Sequence, residues 1–181
     1  MSMSIKRLCQ LAMLAAISIV LVFFVRFPIL PAAPFLEYTP AEVPIMFAAF
    51  LFGPISAFMM AVVVAFIQGF TVSAHSGIIG IAMNILSTGS FLLAFGLVYR
   101  GDKTIKRAVI AIIAGVIATT AAMAWWNIIV TPIFMGVPRP VVISMILPVF
   151  VPFNLIRAGV NSLMAFLLWK TFAPILKRYT N

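Results

Sequence analysis

The chain has 181 residues, 65% of them hydrophobic, with a mean hydropathy of +1.24 and a formal net charge of +9. Such apolarity excludes an ordinary soluble domain and puts nearly all of the chain in lipid or against other membrane helices. The positive charge does not signal nucleic acid, because most basic residues sit in three short clusters flanking apolar segments, where they set orientation in a bilayer.

Lys6 and Arg7 form the first cluster. The apolar run that follows, residues 8–25, has no convincing small-residue cleavage site and passes straight into a Pro-rich segment, so it reads as a retained helix. Cys9 lies in it without a partner, which removes a disulfide framework and a thiolate metal site. Ala12 and Ala16, four apart with Ala15 beside them, let another helix approach closely. Packing within the bundle and docking of a partner both fit that pattern. Residues 26–41 contain Pro28, Pro31, Pro34 and Pro40, which make a stiff loop of low chain entropy.

Residues 43–99 carry no formal charge except on His75, a length far beyond one helix. The second basic cluster, Arg100, Lys103, Lys106 and Arg107, and the third, Lys177 and Arg178, belong on the cytoplasmic side together with the first. An odd number of crossings must therefore separate the first loop from Arg100. Three fit, over residues 42–53, 54–72 and 77–98, with Gly53-Pro54 and residues 73–77 as breaks. The middle one is short for a full crossing unless its loop is buried in protein at membrane depth. A fifth helix over 108–130 leads out and a sixth from about 141 to 170 returns, leaving residues 131–140, with Pro132, Pro138 and Pro140, as an outer loop. The expectation is one all-α integral membrane domain over residues 1–181, with six transmembrane helices and both termini cytoplasmic.

Polar residues inside these spans are the candidates for function. At 1.5 Å per residue, Arg157 stands about 20 Å above the cytoplasmic face, in the outer half of the membrane. Glu42, Gln68, Asn84 and Asn127 reach the same outward depth from four other helices. Asn154, Arg157 and Asn161 are spaced i, i+3, i+7 and form one polar stripe on the sixth helix. An arginine facing lipid is costly, so the stripe should face the bundle interior or a water-filled cavity. Two readings stay open: a static bridge from Arg157 to Glu42 or Glu37, or a donor aimed at a ligand among amides that a bare ion pair would not need. Asn84 and Gln68 could bond between helices or touch a ligand. Trp125, Trp126 and Tyr38 suit an aromatic belt or a stacking surface for a flat ligand. His75 reads as a solvated loop residue, since no second His or Cys completes a metal site.

No enzyme constellation is present. Ser, His and Asp are not arranged for nucleophilic catalysis, and there is no HExxH and no Gly-rich phosphate loop. The chain cannot hydrolyse ATP by itself, and no acid inside a span offers a proton relay. If it moves a solute, the energy comes from a partner.

Five stretches carry a family resemblance: FPILPAAPFLEYTPAEVP (27–44), FGPISA (52–57), Asn84 with the later GLVYR (96–100), WNIIVTPIFMGVP (126–138) and LPVFVPFNLIRAGVNSL (147–163). Together they resemble the substrate-binding S components of energy-coupling factor (ECF) vitamin transporters, most closely the riboflavin-specific members. The resemblance implies a six-helix bundle in the bacterial plasma membrane that binds one vitamin from outside, with the first outer loop closing over it. It implies a transmembrane coupling subunit and two ATPase subunits as partners, riboflavin or a related flavin such as FMN as transported ligand, and no cofactor or metal. Asn154 matches the Asn of the family's PFN motif, and Arg157 matches a basic ligand-contacting position that is usually Lys. That substitution keeps the charge but changes the donor geometry. Asn127, Tyr38 and Thr39 match further ligand or loop positions, while the Thr39-Pro40-Ala41-Glu42 run departs from the expected acidic pattern. Ala12 and Ala16 match the surface that engages the coupling subunit. The expected ligand set is Tyr38, Thr39, Glu42, Asn84, Trp126, Asn127, Asn154 and Arg157. The rivals are an S component for another vitamin such as pantothenate, a solitary channel or carrier, and an intramembrane enzyme.

Overall fold

The computed structural model describes residues 5–31, 33–101 and 104–180, with side chains through residue 172. Lys103 and the side chains of Lys177 and Arg178, which the topology argument used, lie outside the described residues. The helices are α1 (Ile5–Phe24), α2 (Glu42–Phe52), α3 (Pro54–Phe70), α4 (Gly77–Val98), α5 (Ile105–Met135), α6 (Arg139–Met145) and α7 (Val151–Thr180). A single wide π-turn, Ile146–Phe150, joins the last two into one helical pass. A 3-10 turn, Ala74–Ser76, leads into α4. Two short antiparallel strands, β1 (Phe27–Pro28) and β2 (Glu37–Tyr38), fold the first loop into a hairpin with Phe27 opposite Tyr38.

Four segments are long and apolar enough to cross a membrane: Ile5–Phe24, Ala74–Val98, Ile105–Met135 and Arg139–Phe172. The helical segments follow the expected order, while α2 and α3 are shorter than the other four. The two short helices, α2 and α3, meet where Gly53 adopts φ 89° and Pro54 starts the next helix. Glycine tolerates that backbone, and proline at a helix start sacrifices no hydrogen bond. With 11 residues α2 rises only about 16 Å. The first loop fills the remaining depth, and its Ala33, Tyr38, Thr39 and Ala41 are buried, as irregular backbone at membrane depth requires.

The loop expected at residues 131–140 is much shorter. α5 runs on to Met135, carries Pro132 inside it and stops at Gly136, whose φ of 65° is left-handed. Side chains support the backbone around Pro132: Thr131 Oγ1 donates to Asn127 Oδ1 at 2.6 Å, and Asn127 Nδ2 donates to the Met123 carbonyl at 2.7 Å. The returning helix likewise starts at Arg139. Pro148 and Pro152, four residues apart, each withhold a backbone donor there, and the helix widens at Ile146–Phe150 rather than breaking.

Helices α2, α3, α4, α5 and α7 pack in a closed ring, each on its neighbours, and α1 lies outside across α2 and α3. Lipid offers no hydrophobic drive for this, so close packing and polar ties hold the ring. A β-carbon on Gly115 of α5 would come within 2.7 Å of Phe91 on α4, and Thr119 Oγ1 donates to the Ser87 carbonyl at 2.8 Å. At the end bearing Arg100, Phe50 forms an aromatic cluster with Phe95, Tyr99 and Trp169, at centroid distances of 4.8, 5.5 and 5.1 Å. On α1, Ala12 and Ala16 are exposed while Ala15 is half-buried against the core. The small-residue pattern therefore divides: two alanines face outward and one faces the bundle.

Candidate functional site

The stripe on α7 points into the bundle. Asn154 and Asn161 are buried, and Arg157 keeps 14% of its side chain exposed. Glu42 stands on the first turn of α2, where the helix dipole favours a carboxylate. Arg157 Nη2 donates to Glu42 Oε1 at 2.6 Å and to Asn84 Oδ1 at 3.2 Å. Asn161 Nδ2 donates to the other oxygen of Glu42 and to the Thr39 carbonyl, both at 3.1 Å, and Tyr38 donates its hydroxyl to Asn161 Oδ1 at 2.8 Å. One network thus ties α7, α2, α4 and the first loop.

The bridge between Arg157 and Glu42 does not use up the guanidinium. Its Nε is buried without a partner, and the side chain lines a cavity of about 140 Å³ at the end of the bundle away from Arg100. The cavity gathers Thr39 from the first loop, Gln68 from α3, Asn84 from α4, Asn127 from α5, and Asn154 and Arg157 from α7. Its apolar wall comes from Phe35, Met83, Met123, Phe150 and Phe153. Asn154 Nδ2 is held by the Phe150 carbonyl at 2.8 Å, beside the wide turn. Amides, a guanidinium and aromatic faces around one void suit a flat heteroaromatic ligand with carbonyl and hydroxyl groups.

Of the eight expected site residues, five line this cavity: Thr39, Asn84, Asn127, Asn154 and Arg157. The other three do not. Glu42 sits behind Arg157 as its counter-ion. Tyr38 points to Asn161. Trp126 is half-buried beside Trp125, with its indole Nε1 buried and unpartnered. His75, read from sequence as a solvated loop residue, is exposed but stands on the cavity lining.

Sequence reasoning missed Arg26. It pairs with Glu37 across the hairpin and donates to the Val72 carbonyl and to Ser73 Oγ, so it pins the first loop to the α3–α4 connection at the cavity wall. An arginine just past an apolar helix looks like an interface anchor, and only the hairpin register brings Glu37 to it. The five apolar wall residues carried no signal in a chain that is apolar throughout.

The fold and site define a membrane-embedded helical bundle with a polar-lined cavity at the end away from Arg100. A family model described as "ECF transporter, substrate-specific component" matches residues 6–169. The chain is similar to "Riboflavin transporter RibU" of Staphylococcus aureus (strain TCH60), 30% identical over 179 residues that cover 96% of this chain and 93% of that one. It is also similar to "Riboflavin transporter RibU" of Streptococcus thermophilus (strain ATCC BAA-250 / LMG 18311), 26% identical over 94% of this chain and 84% of that one. A solved structure described as "Structure and mechanism of the S component of a bacterial ECF transporter" superposes with a TM-score of 0.83 at 30% identity, covering 95% of this chain and 98% of the other. The chain belongs to the substrate-specific components of ECF transporters. It is a membrane transport protein and not an enzyme.

Proposed function

We propose that this chain captures riboflavin, or its phosphate FMN, from the outer face of a bacterial plasma membrane and delivers it after docking on a transmembrane coupling subunit with two ATPase subunits. The observation that carries the reading is the convergence of Arg157 with the amides of Asn84, Asn127 and Asn154 around one aromatic-walled cavity. Those donors suit the carbonyls of an isoalloxazine ring and the hydroxyls of a ribityl chain, and the Phe and Met side chains suit its faces. Glu42 neutralises the guanidinium, so the cavity accepts uncharged riboflavin without an unpaired buried charge, which favours it over the anionic FMN. Both named relatives are riboflavin transporters, which supports the same ligand here. With no span acid free to relay protons, the energy for release falls to the partners.

Purification tests this. The protein is expected to carry a yellow chromophore, or as apoprotein to quench the fluorescence of added riboflavin on binding. An apoprotein that ignores riboflavin and FMN, yet gains thermal stability with another vitamin such as pantothenate, would reassign the ligand while keeping the family.

A further inference from the structure

A second concavity lies on the outside of the bundle, between α3 and α4. It is a groove of about 550 Å³, lined by apolar side chains and ending at Arg100. Its floor is set by glycine. A β-carbon on Gly96 would come within 2.6 Å of Pro54 Cγ, and one on Gly89 within 3.0 Å of Phe58 Cε2, so the two helices approach closely along one face of α4. Leu93 on its wall is 66% exposed. From Ile85 to Arg100 the groove follows α4 for about 22 Å, more than the about 15 Å hydrocarbon depth of one leaflet.

Charge distinguishes its far end. Arg107 Nη1 donates to the Arg100 carbonyl at 2.6 Å, which brings a second guanidinium beside the Arg100 backbone. Neither arginine forms an ion pair with an acid among the described residues; Glu37 and Glu42 are both engaged at the opposite end of the bundle. Residues 100–107 hold four basic side chains against the single acid Asp102.

We infer that this groove is a binding site for one anionic phospholipid, its acyl chain lying along Gly89 and Gly96 and its phosphate headgroup meeting Arg100 and Arg107. An apolar trough of leaflet length that opens onto cations with no ion-pair partner among the described residues matches both parts of such a molecule. Zwitterionic lipid fills the trough equally well but brings its own cation to the mouth.

The test reconstitutes the full chain, without vitamin, in phosphatidylcholine vesicles containing phosphatidylglycerol. A Leu93→Trp variant reports contact through quenching by acyl-brominated lipid, read as the difference from the parent protein. Brominated phosphatidylglycerol is expected to occupy the site about fivefold more strongly than brominated phosphatidylcholine. Arg100→Gln should bring the ratio towards one, and Arg100→Lys should keep it. Ile113→Trp, on the 53% exposed flank of α5, should show no preference. Equal quenching at position 93, an equal preference at position 113, or a preference that survives Arg100→Gln would overturn the site.

Discussion

At the cavity end, Arg157, Glu42, Asn161, Thr39 and Tyr38 are tied by hydrogen bonds that cross from helix to loop. At the basic end, Phe50, Phe95, Tyr99 and Trp169 fill the same ring of helices with stacked and edge-on aromatics. The first region spends polar groups that need partners and leaves a void beside them; the second leaves none of its largest rings exposed. A membrane bundle can therefore be rigid at one end and receptive at the other without any change in its helix order.

That contrast can be broken in five places. The largest effect belongs to Ala12→Trp or Ala16→Trp on the outward face of α1: uptake by the complete transporter should vanish while vitamin binding persists, measured by cell uptake against titration of the purified chain. Surviving uptake would make these alanines ordinary lipid-facing positions. Next, Glu42→Ala strands the Arg157 charge and should cost about 3–5 kcal/mol of stability. Thermal unfolding in detergent measures it, and pairing the change with Arg157→Met should recover most of the loss. At the opposite end, Phe50→Ala should cost about 3 kcal/mol through the cavity it leaves. Its ligand affinity should not move, which is the cleanest contrast with Glu42.

Smaller effects sharpen the picture. Asn154→Ala should weaken vitamin binding about tenfold, the worth of a single lost hydrogen bond, with little change in melting temperature. Arg26→Gln, at a partly exposed pair, should cost under about 1 kcal/mol. Its effect should appear as faster ligand exchange, followed by stopped-flow fluorescence, because the loop loses its tie to Ser73.

Much of this was legible before any coordinates. Long charge-free runs between basic clusters gave the helix order, Gly53-Pro54 marked the break between α2 and α3, and the i, i+3, i+7 spacing put Asn154, Arg157 and Asn161 on one face. Arg157 bridges Glu42, as the first of its two readings expected, and it also borders a void. Sequence could not choose because the two residues are 115 positions apart. The end of α5 was hidden because Pro132 looks like a helix stop, whereas the helix runs through it and ends at the left-handed Gly136. Tyr38 and Trp126 share the cavity's depth but not its direction, and depth was all that residue counting supplied.

The π-turn at Ile146–Phe150 has a geometric corollary. In a helix each added residue turns everything after it by about 100°, so this one wide turn sets the rotational phase of the whole final pass. Shortening it by a residue would swing Asn154, Arg157 and Asn161 away from the bundle axis together, stripping the cavity of both its polar α7 side chains without touching either of them.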